Sequence, residues 1–157
     1  MIFSKKQTCL LAVCTGKSMP LSDMGDEAFS SGMLGVGYAI EPAEGSFFAP
    51  VSGVVESIPK SGHAYTIQSD AGLDILIHIG VDTVSMGGEG FEPCVKEGQR
   101  VKAGELIARA DLSRIRERGF STVTATVVTE PEKIEQIEFR FESAVGGKDA
   151  VMCFRIK

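Results

Sequence analysis

The stretch Ala64-Tyr65-Thr66-Ile67-Gln68-Ser69-Asp70-Ala71-Gly72-Leu73-Asp74-Ile75-Leu76-Ile77-His78-Ile79 reads as two apolar strands around a turn. Both arms carry β-branched residues in period-two alternation, and Ser69-Asp70-Ala71-Gly72 is made of turn-forming residue types. A hairpin with Asp70 and Ala71 as its two loop residues sets 67 opposite 74, 65 opposite 76 and 63 opposite 78. Directly opposed residues have Cβ atoms about 5 Å apart, so this register predicts that His63 and His78 face each other. Alternation sends Ile75, Ile77 and Ile79 to one face, the expected core, and His63, Tyr65, Leu76 and His78 to the other. Two histidines amid apolar side chains resemble a docking patch with reactive groups at its centre.

The same punctuation extends along the chain, where 18 glycines in 157 residues separate short apolar segments. Strands are expected at Tyr38 to Ile40, Ser46 to Ala49, Gly53 to Ile58, Ala64 to Gln68, Asp74 to Ile79, Leu106 to Ala110, Thr122 to Val128 and Val151 to Ile156, with a first strand within 1–14. Short helical pieces are expected near Ser22 to Phe29, Asp111 to Arg118 and Thr129 to Ile134, the last with Thr129 and Glu132 at capping-box spacing. Ala49 to Val55 and Val95 to Leu106 echo one another as glycine-turned strand pairs. The expected architecture is an all-β antiparallel sandwich or barrel of two similar halves with a few helical turns, one domain over 1–157.

Composition narrows the function classes. A chain with 43% hydrophobic and 24% charged residues is not disordered, and it has no apolar run long enough to span a bilayer. A net charge of −5 argues against nucleic-acid binding. Cys9, Cys14, Cys94 and Cys153 form no C-x-x-C pair, and a domain of this size does not depend on disulfides, which reads as free thiols in a reducing cytoplasm. Lys5 and Lys6 before the run Cys9 to Cys14 imitate a signal peptide, but the run is too short and has no cleavage site. Met1 followed by this short basic segment fits a free-standing protein. Gly16-Lys17-Ser18 lacks the earlier glycine of a phosphate-binding loop, since position 11 is Leu11.

A lone strand histidine is usually a satisfied polar residue. What singles out these two is their pairing by register and the turn Gly80-Val81-Asp82 that follows His78. A neutral imidazole becomes a nucleophile when one nitrogen is bare and the other holds its proton against a fixed acceptor, here the backbone near Gly80. As negative charge builds up on a group attached to one ring, the other can donate a hydrogen bond to it. A biotin- or lipoate-carrying domain would need an exposed lysine at a hairpin tip within a specific tripeptide, and a zinc hydrolase a third ligand in an H-x-H pair; neither is present.

Gly35-Val36-Gly37-Tyr38-Ala39-Ile40-Glu41-Pro42, Ala49-Pro50-Val51-Ser52-Gly53, Ser61-Gly62-His63-Ala64, Leu76-Ile77-His78-Ile79-Gly80-Val81-Asp82-Thr83-Val84, Gly88-Glu89-Gly90-Phe91 and Glu97-Gly98-Gln99-Arg100-Val101 follow one another in a familiar order. From about Thr15 to Glu130 the chain resembles the glucose-type enzyme IIA of the bacterial phosphoenolpyruvate:sugar phosphotransferase system. The resemblance implies a β-sandwich that takes a phosphoryl group from the phosphocarrier HPr and passes it to the cysteine of an enzyme IIB domain. His78 matches the phosphorylated histidine, with Nε2 as the nucleophile. His63 matches the histidine that supports the transferring group, and Ser61 stands where the family usually has a threonine orienting that ring. Val36 replaces an aspartate common in the family, leaving Asp82 as the remaining carboxylate of the rim that meets partners. Gly80, Tyr65 and Leu76 complete the expected binding surface. The resemblance implies no intrinsic cofactor or metal, although the two histidines would bind zinc where a partner supplied a carboxylate. It also implies a cytoplasmic protein that does not itself span the membrane. A module that mainly binds regulatory partners according to its phosphorylation state is the alternative reading; the sugar is not specified.

Overall fold

Alternation along Asp74–His78 buries Ile75 and Ile77 completely and leaves Leu76 and His78 half-buried. The computed structural model describes residues 7–157, and every strand pairing among them is antiparallel. Asp74–His78 lies inside an eight-stranded sheet in the order Ser143–Ala144, Gly16–Pro20, Val36–Pro42, Thr124–Val128, Asp74–His78, Ala64–Ser69, Gly53–Ser57, Arg100–Val101. Two three-stranded sheets complete the fold: Gln7–Leu11, Ala150–Ile156 and Ile134–Phe139, then Ser46–Phe48, Leu106–Ala110 and Phe91–Pro93. The all-β antiparallel expectation holds, and the first strand is Gln7–Leu11. The Lys5-Lys6 pair lies outside the described residues.

The two echoing segments meet in space. Ala49 donates its N–H to Glu105 and accepts from Gly104, both at 2.8 Å, while Val55 donates to Gln99 at 2.8 Å and accepts from Gly98 at 2.7 Å. These reciprocal bonds join the two segments along their glycine turns. The main core packs Ile67, Ile75, Ile77 and Ile79 among Tyr38, Phe47, Tyr65 and Phe154, all fully buried. A smaller apolar cluster of Leu21, Met24, Phe29, Ala39, Ala125 and Val127 takes Leu76 against it. Part of this cluster comes from a short cover formed by the 3-10 turn Leu21–Asp23 and the helix Glu27–Ser30, whose first turn is capped by Asp26 accepting from the Ala28 N–H at 3.0 Å.

The hairpin register differs by one from the sequence reading. Gly72 adopts φ 90° and donates to the Ser69 carbonyl at 2.9 Å, while Ser69 donates to Leu73 at 2.7 Å. The loop therefore has three residues, Asp70, Ala71 and Gly72, with glycine in the left-handed position of a bulged turn. Ala64 lies opposite His78, and Tyr65 opposite Ile77. A one-residue slip exchanges faces, so Tyr65 belongs to the core, fully buried, and not to the docking face.

Other expectations are corrected by long-range contacts. Gly16–Pro20, which reads in sequence as a failed phosphate loop, is a strand between Val36–Pro42 and Ser143–Ala144. The Thr129 to Ile134 helix shortens to the 3-10 turn Pro131–Lys133, with no side-chain cap, because Ile134 already starts a strand paired to Ile156. Cys9 and Cys153 lie directly opposite each other in the Gln7–Leu11 and Ala150–Ile156 ladder and form a disulfide. Free thiols are thus expected wrongly at these positions, and cysteine usage no longer argues for a reducing compartment.

The disulfide joins residues 144 apart in sequence, a loop whose closure in the unfolded chain is worth about 5 kcal/mol. Reduction, or Cys153→Ser, is expected to lower the melting temperature by on the order of 10 °C. Calorimetry with and without dithiothreitol measures this, and an unchanged melting temperature would contradict it.

Candidate phosphoryl-transfer site

Where Asp74–His78 ends, Ile79 still donates its N–H to the His63 carbonyl at 2.8 Å, and Gly80 turns the chain at φ 80°. A side chain at Gly80 would strike Thr83 and the Ser121 carbonyl, so both the conformation and the clearance call for glycine. The turn brings the Gly80 carbonyl back to His78, whose Nδ1 donates to it at 2.8 Å. A carbonyl only accepts. Nδ1 therefore carries the proton, and in the neutral ring Nε2 keeps its lone pair.

His63 sits just before the Ala64–Ser69 strand and just after Gly62, which adopts φ 68°. Lying ahead of the strand, its side chain is not bound by strand alternation, and the two rings meet diagonally despite the shifted register, with centroids 4.9 Å apart at 81°. His63 is 6% exposed, and its Nδ1 is hydrogen-bonded to the Ser61 hydroxyl. When that hydroxyl donates, the proton of the neutral ring is on Nε2. Phe29 packs on His78 with centroids 5.3 Å apart, and Phe91 stands 6.4 Å from His63.

Burial governs the charge of both rings. It lowers the His63 pKa to about 4, with a smaller contribution in the same direction from the nearby charge of His78. Burial also lowers His78 from the ordinary histidine value, opposed by the Gly80 hydrogen bond and by the Asp26 and Asp82 carboxylates. Two neutral imidazoles thus lie in contact at neutral pH, one with a bare nitrogen on a half-buried ring.

Residues 8–134 match the family described as phosphoenolpyruvate-dependent sugar phosphotransferase system, EIIA 1. The chain belongs to this family. It is 41% identical over 140 residues to the PTS system glucose-specific EIICBA component of Streptococcus pneumoniae, an alignment covering 89% of this chain and 19% of that protein. The chain thus spans about a fifth of that relative's length. Its fold is similar to the structure of glucose permease IIA from Mycoplasma capricolum, with a TM-score of 0.89 and 34% identity, covering 95% of this chain and 96% of the other.

In this EIIA-family chain the residues singled out from sequence separate into three groups. His78, His63, Ser61 and Gly80 form one hydrogen-bonded constellation. Asp82, exposed and in the left-handed conformation at φ 62°, lies near enough for its charge to act on His78, and Leu76 is half-buried in the smaller cluster with Phe29. Tyr65 is in the core, its hydroxyl without a hydrogen-bond partner among the described residues. Val36 pairs with Val128 and packs against the main core; the ladder runs three rungs, about 10 Å, from there to Ala39, Ala125 and His78. Position 36 therefore does not stand beside the rings. Sequence reasoning misses Phe29, which arrives from a distant segment; Phe91 closes a quoted motif but carries no sign of its contact with His63. Among the described residues no group of three or more His, Cys, Asp or Glu is placed to hold a metal ion, so zinc at the two rings would need ligands from elsewhere.

Because folding lowers the His63 pKa, the unfolded chain binds the extra proton first as pH falls. Its contribution leaves stability unaffected above pH 6.5 and erodes it between 6.5 and about 4. Melting curves across that range are expected to show a decline that His63→Gln flattens. An equally steep decline in the variant would contradict the buried neutral ring.

Proposed function

We propose that this chain is a phosphocarrier: His78 accepts a phosphoryl group from HPr and delivers it to a cysteine of an enzyme IIB domain. The observation that carries the reading is the bond from His78 Nδ1 to the Gly80 carbonyl at 2.8 Å, which keeps Nε2 bare beside a second neutral histidine. In the first half-reaction the Nε2 lone pair forms a bond to phosphorus while the donor's bond to phosphorus breaks, and the donor leaves with that electron pair. The Nδ1 proton stays in place, so the phosphorylated ring acquires a positive charge. The Gly80 carbonyl and the Asp26 and Asp82 carboxylates, the same groups that favour a charged His78, offset it. His63 donates from Nε2 to a phosphoryl oxygen, and the Ser61 hydroxyl holds its ring in the required tautomer. In the second half-reaction a cysteine thiolate attacks phosphorus, the bond to Nε2 breaks and its electron pair returns to the ring.

Asp82 gives this surface one exposed carboxylate for a basic partner. A cytoplasmic location follows from such partners and not from the cysteines.

Incubation with phosphoenolpyruvate, enzyme I and HPr is expected to give an acid-labile, base-stable phosphoprotein, and His78→Ala to abolish it. Stoichiometric labelling of that variant would overturn the assignment. An attached phosphoryl dianion raises the proton affinity of the neutral His63 ring beside it; His63→Gln keeps an N–H donor but cannot take that proton, so it is expected to accept the group while passing it on at least about tenfold more slowly. Equal loss in both half-reactions would contradict the role given to His63.

A further inference from the structure

The bond that selects the tautomer of His78 depends on a carbonyl in a turn, and such a carbonyl swings away unless its peptide unit is held. The unit joining Gly80 to Val81 is fixed at both ends. Its carbonyl accepts from His78 Nδ1 at 2.8 Å, and its N–H donates to the Ser121 carbonyl at 3.1 Å. The preceding unit, joining Ile79 to Gly80, is held by Thr83, whose hydroxyl donates to the Ile79 carbonyl at 2.5 Å. Thr83 is 0% exposed, and its side chain fills the space that a Cβ on Gly80 would occupy. Ile79 also donates its N–H to the His63 carbonyl at 2.8 Å, so the backbone that Thr83 grips connects both rings.

We propose that Thr83 is a positioning residue: its buried hydroxyl fixes the Ile79–Gly80 backbone so that the Gly80 carbonyl keeps the His78 proton on Nδ1 and the nucleophile on Nε2. The inference rests on the phosphoryl-acceptor reading of His78. Gly80 at φ 80° is the residue type with the most conformations to escape into, and Asp82 at φ 62° is held in a region that a non-glycine residue leaves when released. Without the hydroxyl, the Ile79 carbonyl loses a buried donor, and the turn gains a reason to rearrange toward other partners. Once the Gly80 carbonyl withdraws, nothing confines the ring proton to Nδ1. Rings carrying it on Nε2 have their lone pair on the nitrogen that faces away from phosphorus. The rate of phosphoryl acceptance then scales with the competent tautomer's share of the population.

The test compares Thr83→Val, which keeps the shape and removes the hydroxyl, with Thr83→Ser, which keeps the hydroxyl and removes the methyl. Long-range nitrogen–proton NMR on the full chain reads the His78 tautomer, and quench-flow with phosphorylated HPr reads acceptance. The wild type and Thr83→Ser are expected to hold the proton on Nδ1. Thr83→Val is expected to show both tautomers and to accept phosphate about fivefold more slowly. A folded Thr83→Val with the proton still on Nδ1 and an unchanged rate would overturn the proposal. If Thr83→Val does not fold, Thr83→Ser decides: loss of the Nδ1 tautomer with the hydroxyl present overturns the proposal, and its retention supports it. A wild-type chain that takes no label from phosphorylated HPr refutes the acceptor reading instead, while the tautomer measurement still reports on Thr83.

Discussion

The hydrogen bond from His78 Nδ1 to the Gly80 carbonyl couples the fold to the chemistry, because it needs the strand, the turn and the neighbouring segments at once. The Asp74–His78 strand aims the ring, and Gly80 at φ 80° reverses the chain tightly enough for a carbonyl two residues on to reach it. Ser121, immediately ahead of the Thr122 to Val128 region, secures the far end of the same peptide unit. A nitrogen's protonation is thereby decided by backbone geometry, which tolerates substitution of surrounding side chains better than a carboxylate partner would. The Gly80 hydrogen bond holds the proton affinity of His78 up more than the Asp26 and Asp82 carboxylates do, and burial outweighs all three.

Burial then divides the labour between two chemically identical side chains. His63 is enclosed by Phe91 and its own strand start, with a hydroxyl on Nδ1, and its proton affinity falls furthest. His78 keeps a more open ring and two carboxylates within electrostatic range. The first is suited to donating a hydrogen bond without becoming a competing base, and the second to carrying positive charge when a group is attached.

Much of this was legible in the sequence because period two is a local signal. Alternation over Ile75, Ile77 and Ile79 identified the core face, and the sixteen residues from His63 to His78 around one turn were enough to bring the histidines together. The register was not legible, since Ala71-Gly72 gives no sign of whether glycine lies inside the loop or pairs; its left-handed φ decides, and with it the fate of Tyr65. Contacts between distant segments were equally hidden. Cys9 meets Cys153 only through the pairing of the first and last described strands, and Gly16–Pro20, rich in poor strand formers, is extended because its neighbours are. Phe29 reaches His78 through a cover whose position depends on Leu21 and Met24 finding an apolar cluster elsewhere in the sheet.

The proton that stays on Nδ1 has a consequence for the energetics of a relay. A nucleophile that must first lose a proton hands it to water or to a base, and recovering it on the return step ties both directions to the acidity of the medium. In the proposed phosphocarrier the attacking pair on Nε2 is already free, and the proton that Nδ1 shares with the Gly80 carbonyl need not leave when a group is attached. On that proposal, attachment and release at His78 need no proton exchange with solvent. Such a step would run in either direction without a net uptake or release of protons at this ring.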